Sequence, residues 1–265
     1  MKKQTVIVTG ASSGIGFAAA TLFAAKGYQT YGLSRRKIDG ATFNQIQTDV
    51  NDDASVEAAV ARIVKETGRV DVLFNNAGFA FVGATEESSI SQVKAIFETN
   101  FFGAIRVANA VLPHMRKQKS GRILHTSSIV GRVPTPYMGF YAASKHALEA
   151  YAEALDQEVR NFGIRSILIE PSFMKTAITA HDFKVDRPQA DYQVAREKAE
   201  RYVEKGIANS PSADMVAIKA VEVAELANPK ARYLVGRDAA ILWNLRKFAP
   251  VSVFDKLVRS QMKLD

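Results

Sequence analysis

Thr5-Val6-Ile7-Val8-Thr9-Gly10-Ala11-Ser12-Ser13-Gly14-Ile15-Gly16 is the stretch that decides how this chain folds. Its first half is a short β-branched run, the pattern of a strand buried on both faces of a parallel sheet. Its second half places glycines at 10, 14 and 16 and opens an apolar helical stretch through Ala25, closed by Gly27. Without a Cβ the backbone at such a turn approaches a ligand closely, and the free N–H groups of the following helix favour a pyrophosphate. A plain tight turn would also use glycine, but a strand before it and a helix after it favour a cofactor cradle made of Gly10, Ser12, Ser13, Gly14, Ile15 and Gly16.

Outward from that stretch, strand-like runs at residues 29–33, 43–47, 70–74, 121–126, 163–170 and 232–235 alternate with helical patterns. Residues 52–67 carry Val56, Val60, Ile63 and Val64 at helical spacing, and 89–117 reads as one long helix. In that helix Ile90, Val93, Phe97, Phe101, Ala104, Ala108, Val111, Leu112 and Met115 are expected inside or at an interface, with Asn100 among them. This alternation predicts one doubly wound α/β Rossmann domain over residues 1–265, with a mostly parallel seven-stranded sheet and its ligand beyond the carboxyl ends of the strands.

The second strand ends at Ser34-Arg35-Arg36. An acid near this position would hold the ribose 2′-hydroxyl of NAD, whereas arginine suits the 2′-phosphate of NADP through bidentate, charge-assisted bonds. A solvated loop charge is the plainer alternative. Too few residues separate Arg35 from Phe43 for a crossover helix, so the adenine side is expected to be open.

Residues 139–162 read as a helix that begins close to Tyr141-Ala142-Ala143-Ser144-Lys145. Residues four apart stack on one helix face, so Tyr141 and Lys145 are neighbours. A phenol titrates near pH 10, and a lysine ammonium beside it favours the phenolate and lowers that value. A shift of about three units needs roughly 4 kcal/mol, so a second positive charge or a buried site should share the work. Upstream, Ser127-Ser128 ends the run Ile123-Leu124.

The glycine turn, the serine and the Tyr–Lys pair together resemble the short-chain dehydrogenase/reductase family in its standard length, over about residues 3–237. The resemblance implies an NADP(H)-dependent oxidoreductase moving hydride reversibly between the nicotinamide and a carbonyl or secondary alcohol. It assigns Tyr141 as general acid, and Lys145 as the group that lowers its pKa and bonds the nicotinamide ribose. Ser128 becomes the donor to the substrate oxygen, and Asn100 the support of a proton relay. It places Asp49-Val50 and Asn76-Ala77-Gly78 beside the adenosine, and Pro171 and Thr176 near the nicotinamide. Ser172 stands where the family usually has glycine, which puts that turn in question. The rivals are an NAD-linked alcohol dehydrogenase and a non-catalytic cofactor sensor. Epimerases and dehydratases need a longer substrate domain, and enoyl reductases space Tyr and Lys further apart.

From Ala177 to Asn209 the chain is polar, with a charged helix at 190–204, and the family resemblance makes residues 171–210 a substrate lid. Phe79, Phe81, Met138, Phe140, Phe173 and Met174 are expected to flank an apolar cleft. Residues 239–265 form an amphipathic extension with two stripes, Ile241, Leu242, Leu245 and Phe248, then Val253, Phe254, Leu257, Val258 and Met262. Arg246, Lys247, Lys256, Arg259 and Lys263 accompany them, so core, lid and peripheral membrane contact all remain open. This end is also similar to the branch holding 17β-hydroxysteroid, retinol and acyl-dihydroxyacetone-phosphate reductases.

Composition narrows the rest. The 265 residues are 47% hydrophobic, enough for one sizeable core. No cysteine is present, which excludes disulfides and thiolate metal sites and fits a reducing, cytoplasmic setting. His114, His125, His146 and His181 show no ligand spacing, so no metal is expected. The net charge of +8 is scattered without an aromatic-basic platform, so an anionic cofactor explains it better than nucleic acid. The apolar run at 6–8 is too short for a secretory signal, and no stretch is long enough to span a membrane. The family implies pairing of subunits through helices 89–117 and 139–162, with Phe101, Phe102 and Val107 as the apolar surface.

Overall fold

The computed structural model describes residues 3–176 and 184–264. Strand β1 (Thr5–Thr9) feeds helix α1 (Gly14–Ala25), followed by β2 (Gln29–Ser34), β3 (Asn44–Gln47), α2 (Asp53–Thr67) and β4 (Val72–Asn75). Then come α3 (Ile90–Phe97), α4 (Gly103–Gln118), β5 (Gly121–Thr126), α5 (Gly139–Val159) and β6 (Ile164–Pro171). The chain closes with α6 (Gln193–Ala208), α7 (Asp214–Glu225), β7 (Arg232–Val235), α8 (Arg237–Phe248) and α9 (Val251–Gln261).

The seven strands are ordered β3-β2-β1-β4-β5-β6-β7, and every neighbouring pair is parallel. The chain winds outward from β1 to β3, then returns to β4 on the other side of β1. That reversal opens a crevice at the carboxyl ends of β1 and β4, where open α/β sheets bind ligands. Val6, Ile7 and Val8 are fully buried because both faces of β1 are covered. Val6 and Val8 meet Ile15 and Phe23 of α1 and Val216 of α7, whereas Ile7 meets Val60 of α2, Val111 of α4 and Leu155 of α5.

Local chemistry trims several predicted boundaries. Residue 52 is the cap of α2 rather than its first turn: the Asp52 carboxylate accepts from the N–H groups of Ala54 at 2.9 Å and Ser55 at 3.2 Å. Strand β4 starts two residues later than the run from Val70 suggested. The Gln118 amide brackets Val70, accepting from its N–H at 2.9 Å and donating to its carbonyl at 2.8 Å. As expected, no helix joins β2 to β3. There the Gln45 side chain stands in for one, accepting from Ile38 N–H and donating to Ile38 carbonyl, both at 2.8 Å.

The long helix expected over 89–117 is a correction. Helices α3 and α4 are separated by a π turn, Glu98–Phe102, centred on buried Asn100. Such turns add a residue per hydrogen-bonded ring and gather at functional sites. The proposed pairing surface also changes, because Val107 is fully buried in the core while Phe102 remains 46% exposed. Ile90, expected inside or at an interface, is not inside: it is 70% exposed at the start of α3.

Residues 177–183 of the expected lid, with His181 among them, and Met1-Lys2 of the signal-like start lie outside the described residues. Downstream, buried Glu87 ties the segment before α6 and α6 itself to the body, pairing with Arg196 of α6 and accepting from Gln189 N–H at 2.9 Å. Among the described residues no helix is long and apolar enough to cross a membrane. Each C-terminal stripe is split by the fold. Leu242 and Leu245 pack against Ile129 and Val133, and Phe254 is buried, whereas Phe248 and Val253 are exposed, and Ile241 and Leu257 are exposed at the edge of the cavity described below.

Candidate active site

A cavity of about 950 Å³ fills the crevice at the strand ends and runs on beneath α6, α8 and α9. Its inner end is the glycine turn. Gly10 (φ +67°) and Gly14 (φ +54°) occupy the left-handed region that side chains disfavour. A Cβ on Gly10 would stand 2.9 Å from the Ala77 Cα, and one on Gly14 3.3 Å from the Thr176 Cβ. Gly16 does not line the cavity; a Cβ there would overlap the Gly10 carbonyl, so its role is to let α1 close against the turn. Ser13 caps α1 in extended geometry without a side-chain bond, which leaves the first N–H groups of the helix for an anion. These residues fit a dinucleotide pyrophosphate.

The remaining predicted cofactor residues converge on the same cavity: Ser12, Ser13, Ile15, Ser34, Arg35, Arg36, Asp49, Val50, Asn76, Ala77, Gly78, Pro171 and Thr176 all line it. Thr9 Oγ1 accepts from the N–H groups of Asn76 and Ala77, both at 2.9 Å, which fixes β4's end against β1. Arg35 and Arg36 are exposed, and among the described residues neither is in an ion pair, so both guanidinium groups are available to an anion. Ser172 adopts an ordinary backbone, which answers the doubt raised by its replacing glycine. The room it needs comes from Gly236 (φ +100°), where a Cβ would overlap the Ser172 hydroxyl.

Ser128, Tyr141 and Lys145 share one wall. The Lys145 ammonium donates to the Thr126 carbonyl at 2.8 Å and lies 5.8 Å from the Tyr141 ring centre. Burial lowers the Lys145 pKa to about 8, partly opposed by the negative charge of Glu149 one turn along α5. Tyr141 departs from the expectation. Its ring reaches the cavity, but burial of the hydroxyl pushes the phenol up to about 12, opposed only by the hydrogen bond with Ser128. The lysine's ammonium is turned to a carbonyl rather than to the phenol, so desolvation wins over attraction.

Asn100 lies behind this wall rather than in the cavity. Its amide accepts from Phe79 N–H and donates to Phe79 carbonyl, both at 2.9 Å, and donates to Ser144 Oγ at 3.1 Å. The π turn thus braces residues 78–79 against α5, beside Lys145.

Sequence reasoning missed the layer behind Lys145. Buried Glu149 of α5 and Glu170 of β6 both pair with Arg232 of β7, and Arg132 pairs with Glu170 at 3.4 Å while stacking over Trp243 of α8. Burial and the Glu170 charge raise the Glu149 pKa, opposed by Ser127 and Arg232. Charged residues from four separate segments make this cluster, and nothing in their spacing announces it. His125 is also buried beside Lys145; desolvation lowers its pKa to about 3, so it is neutral. Of the predicted aromatic and Met flank, Phe79, Phe81, Met138, Phe173 and Met174 line the cavity, but Phe140 packs behind Phe81, 6.5 Å between ring centres. Tyr202, Val203 and Ile207 were not singled out as lining residues, although the amphipathic pattern of α6 carried the signal; Leu242 and Leu245, on the stripe for which core, lid and membrane contact stood open, also line the cavity.

Comparison with known proteins agrees with this geometry. Residues 4–186 match the family model of the short chain dehydrogenases. The 3-ketodihydrosphingosine reductase of Bacteroides thetaiotaomicron is 42% identical over 180 residues, 68% of this chain and 67% of that protein. The NADPH-dependent 3-dehydrocapnine reductase of Ornithobacterium rhinotracheale is 31% identical over 97% of this chain and 96% of that one. A short chain dehydrogenase/reductase from Burkholderia phymatum, solved in complex with NAD, superimposes with a TM-score of 0.77 at 28% identity, covering 92% of each chain. The family match over residues 4–186, together with relatives that cover the chain nearly from end to end, shows that this chain belongs to the short-chain dehydrogenase/reductase family of nicotinamide-dependent oxidoreductases.

Proposed function

We propose that this protein is an NADPH-dependent reductase of an apolar ketone, reversible at the level of the secondary alcohol. The observation that carries the reading is one cavity with Ser128, Tyr141 and Lys145 on its wall, Arg35 and Arg36 at one end and apolar side chains at the other. When bound, the nicotinamide supplies or accepts the hydride. The chain supplies the proton and the electrostatics. Ser128 donates to the substrate oxygen and stabilises the charge that develops there. Tyr141, held protonated at neutral pH by burial, delivers the proton to that oxygen as general acid. Lys145 holds the nicotinamide ribose and adds positive charge beside the phenol, and Asn100 supports the proton relay by fixing the backbone next to Lys145.

Arg35 and Arg36 favour NADPH, as does the name of the Ornithobacterium relative; the NAD in the Burkholderia structure represents the NAD-linked alternative. A sphingosine-type relative supports an apolar substrate. The described part of 171–210 contributes Phe173, Met174, Tyr202 and Val203 to the cavity, which supports its reading as a lid. Outward-facing Phe248, Val251 and Val253 beside Lys247 and Lys256 suit contact with an anionic membrane surface, which co-sedimentation with anionic vesicles tests. Exposed Phe102 and Phe162 suit subunit pairing, which light scattering tests.

The mechanism is tested by Tyr141→Phe, which keeps the ring and removes the proton donor. Turnover of a long-chain ketone, followed by loss of NADPH absorbance, should fall at least about a hundredfold, the lower range for general acid catalysis. NADPH binding should persist. Near-normal turnover in the variant would overturn the assignment.

A further inference from the structure

We infer that Glu149 is a positioning residue for the reduction, acting through Lys145: it keeps the lysine an ammonium at neutral pH and so sets the upper pH limit of the reaction. This rests on the reductase reading above and adds to it a residue outside the cavity. Lys145 and Glu149 are one turn apart on α5, and both are buried. Their side chains run to the same end of β5. Lys145 donates to the Thr126 carbonyl at 2.8 Å, and the next residue, Ser127, stands beside Glu149. A Cβ on Gly131 would lie 2.7 Å from the Ser127 hydroxyl and 3.2 Å from Glu149 Oε1. Glu149 Oε2 is bound to Arg232, which leaves Oε1 on the Ser127 side.

A buried ammonium is costly unless an opposite charge compensates it. The other groups around Lys145 are uncharged: the His125 imidazole of β5, the Tyr141 phenol, and the Asn100 amide across Gly78. Among the described residues, Glu149 supplies the carboxylate charge that acts on Lys145. Around Glu149 itself stand Ser127, Glu170 of β6 and Arg232 of β7. Arg232 also pairs with Glu170 and with exposed Glu153, and Arg132 pairs with Glu170. Three carboxylates, Glu149, Glu153 and Glu170, thus meet two guanidinium groups, and Lys145 is the cation that balances the third. The competing role for Glu149 is structural, to pin β7 to α5 through Arg232 without acting on the lysine.

Glu149→Gln separates these roles, and Arg232 keeps two of its carboxylate partners in that variant. Reduction of a long-chain ketone with NADPH is followed across pH in the wild type, Glu149→Gln, Glu149→Asp and Glu153→Gln. In Glu149→Gln the alkaline fall of kcat/KM should begin about one pH unit lower, so activity near pH 8 drops about fivefold while that near pH 6 is almost unchanged. Glu149→Asp keeps the charge and should return the fall at least halfway. Glu153→Gln removes only the outer partner of Arg232 and should leave it in place. Direct titration of Lys145 should show the same displacement, by NMR of protein isotope-labelled at lysine Cε, the signal assigned by its loss in Lys145→Met. A structural role alone would lower thermal stability and scale kcat/KM equally at every pH, with the Lys145 midpoint unmoved. That result, an equal displacement in Glu153→Gln, or a wild-type profile without an alkaline fall would overturn the inference. Should Glu149→Gln not fold, the wild-type Lys145 signal decides: it should carry a second inflection at lower pH as Glu149 gains its proton, and a single inflection would overturn the inference. Failure of the reductase reading looks different: the Lys145 midpoint moves in Glu149→Gln, yet no ketone is reduced.

Discussion

The two ends of the cavity are built on different principles. The cofactor end is made by strand termini and their turns. Gly10, Asn76, Ser128 and Pro171 sit where neighbouring strands end, and the parallel ladders of β1, β4, β5 and β6 hold those ends side by side. The apolar end is made largely by side chains of α6, α8 and α9, of which α8 packs on β7 through Leu234 and on the 129–133 segment. One end is pinned by parallel ladders, the other by apolar packing that tolerates exchange of one aliphatic side chain for another. A family can thus keep one chemistry and change substrates by altering the second half alone.

Arg232→Ala breaks the first end most deeply. It leaves buried Glu149 without its cation and Glu170 with Arg132 alone. Removing one partner of a buried pair costs about 3–5 kcal/mol, and the remaining Arg132 puts this case near the lower value. Urea unfolding should show a loss of about 3 kcal/mol; a loss under about 1 kcal/mol would mean that the cluster is solvated rather than structural.

Arg35→Ala and Arg36→Ala probe the outer rim of the same end. Each should weaken NADPH roughly ten- to a hundredfold, the value of a charged hydrogen bond to the 2′-phosphate, and NADH far less. Isothermal titration with both nucleotides decides it. A wild type that already prefers NADH sinks the assignment of this rim to NADP.

A smaller effect sharpens the contrast through pH. Burial lowers the Lys145 pKa to about 8, so its ammonium is complete below that pH and is lost as pH rises through it. If reduction needs the ammonium, kcat/KM is flat below about pH 8 and falls up to tenfold per unit above it, since kcat/KM reports the free enzyme. Tyr141, at about 12, adds no limb in this range. A kcat/KM that keeps rising through pH 9 would show that neutral Lys145 suffices. Exchange of an aliphatic side chain at the other end, such as Leu242, should leave the shape of this profile untouched.

The sequence by itself determined the sheet, the glycine turn, the Tyr141–Lys145 adjacency and the absence of a helix between β2 and β3, while the choice of Ser128 came from the family resemblance. These follow from local rules: β-branched runs, glycine spacing, and stacking four residues apart on a helix. It did not determine the π turn at Asn100, because an inserted residue in a helix leaves the apolar pattern nearly intact. Nor did it give the sign of the Tyr141 shift. Spacing places Lys145 beside Tyr141, but only the folded chain turns the ammonium to the Thr126 carbonyl and buries the phenol, so that desolvation prevails. The members of the Glu149–Arg232–Glu170 cluster belong to tertiary structure for the same reason. Their partners lie far apart in the chain, and long-range electrostatics and burial exist only once the helices have packed.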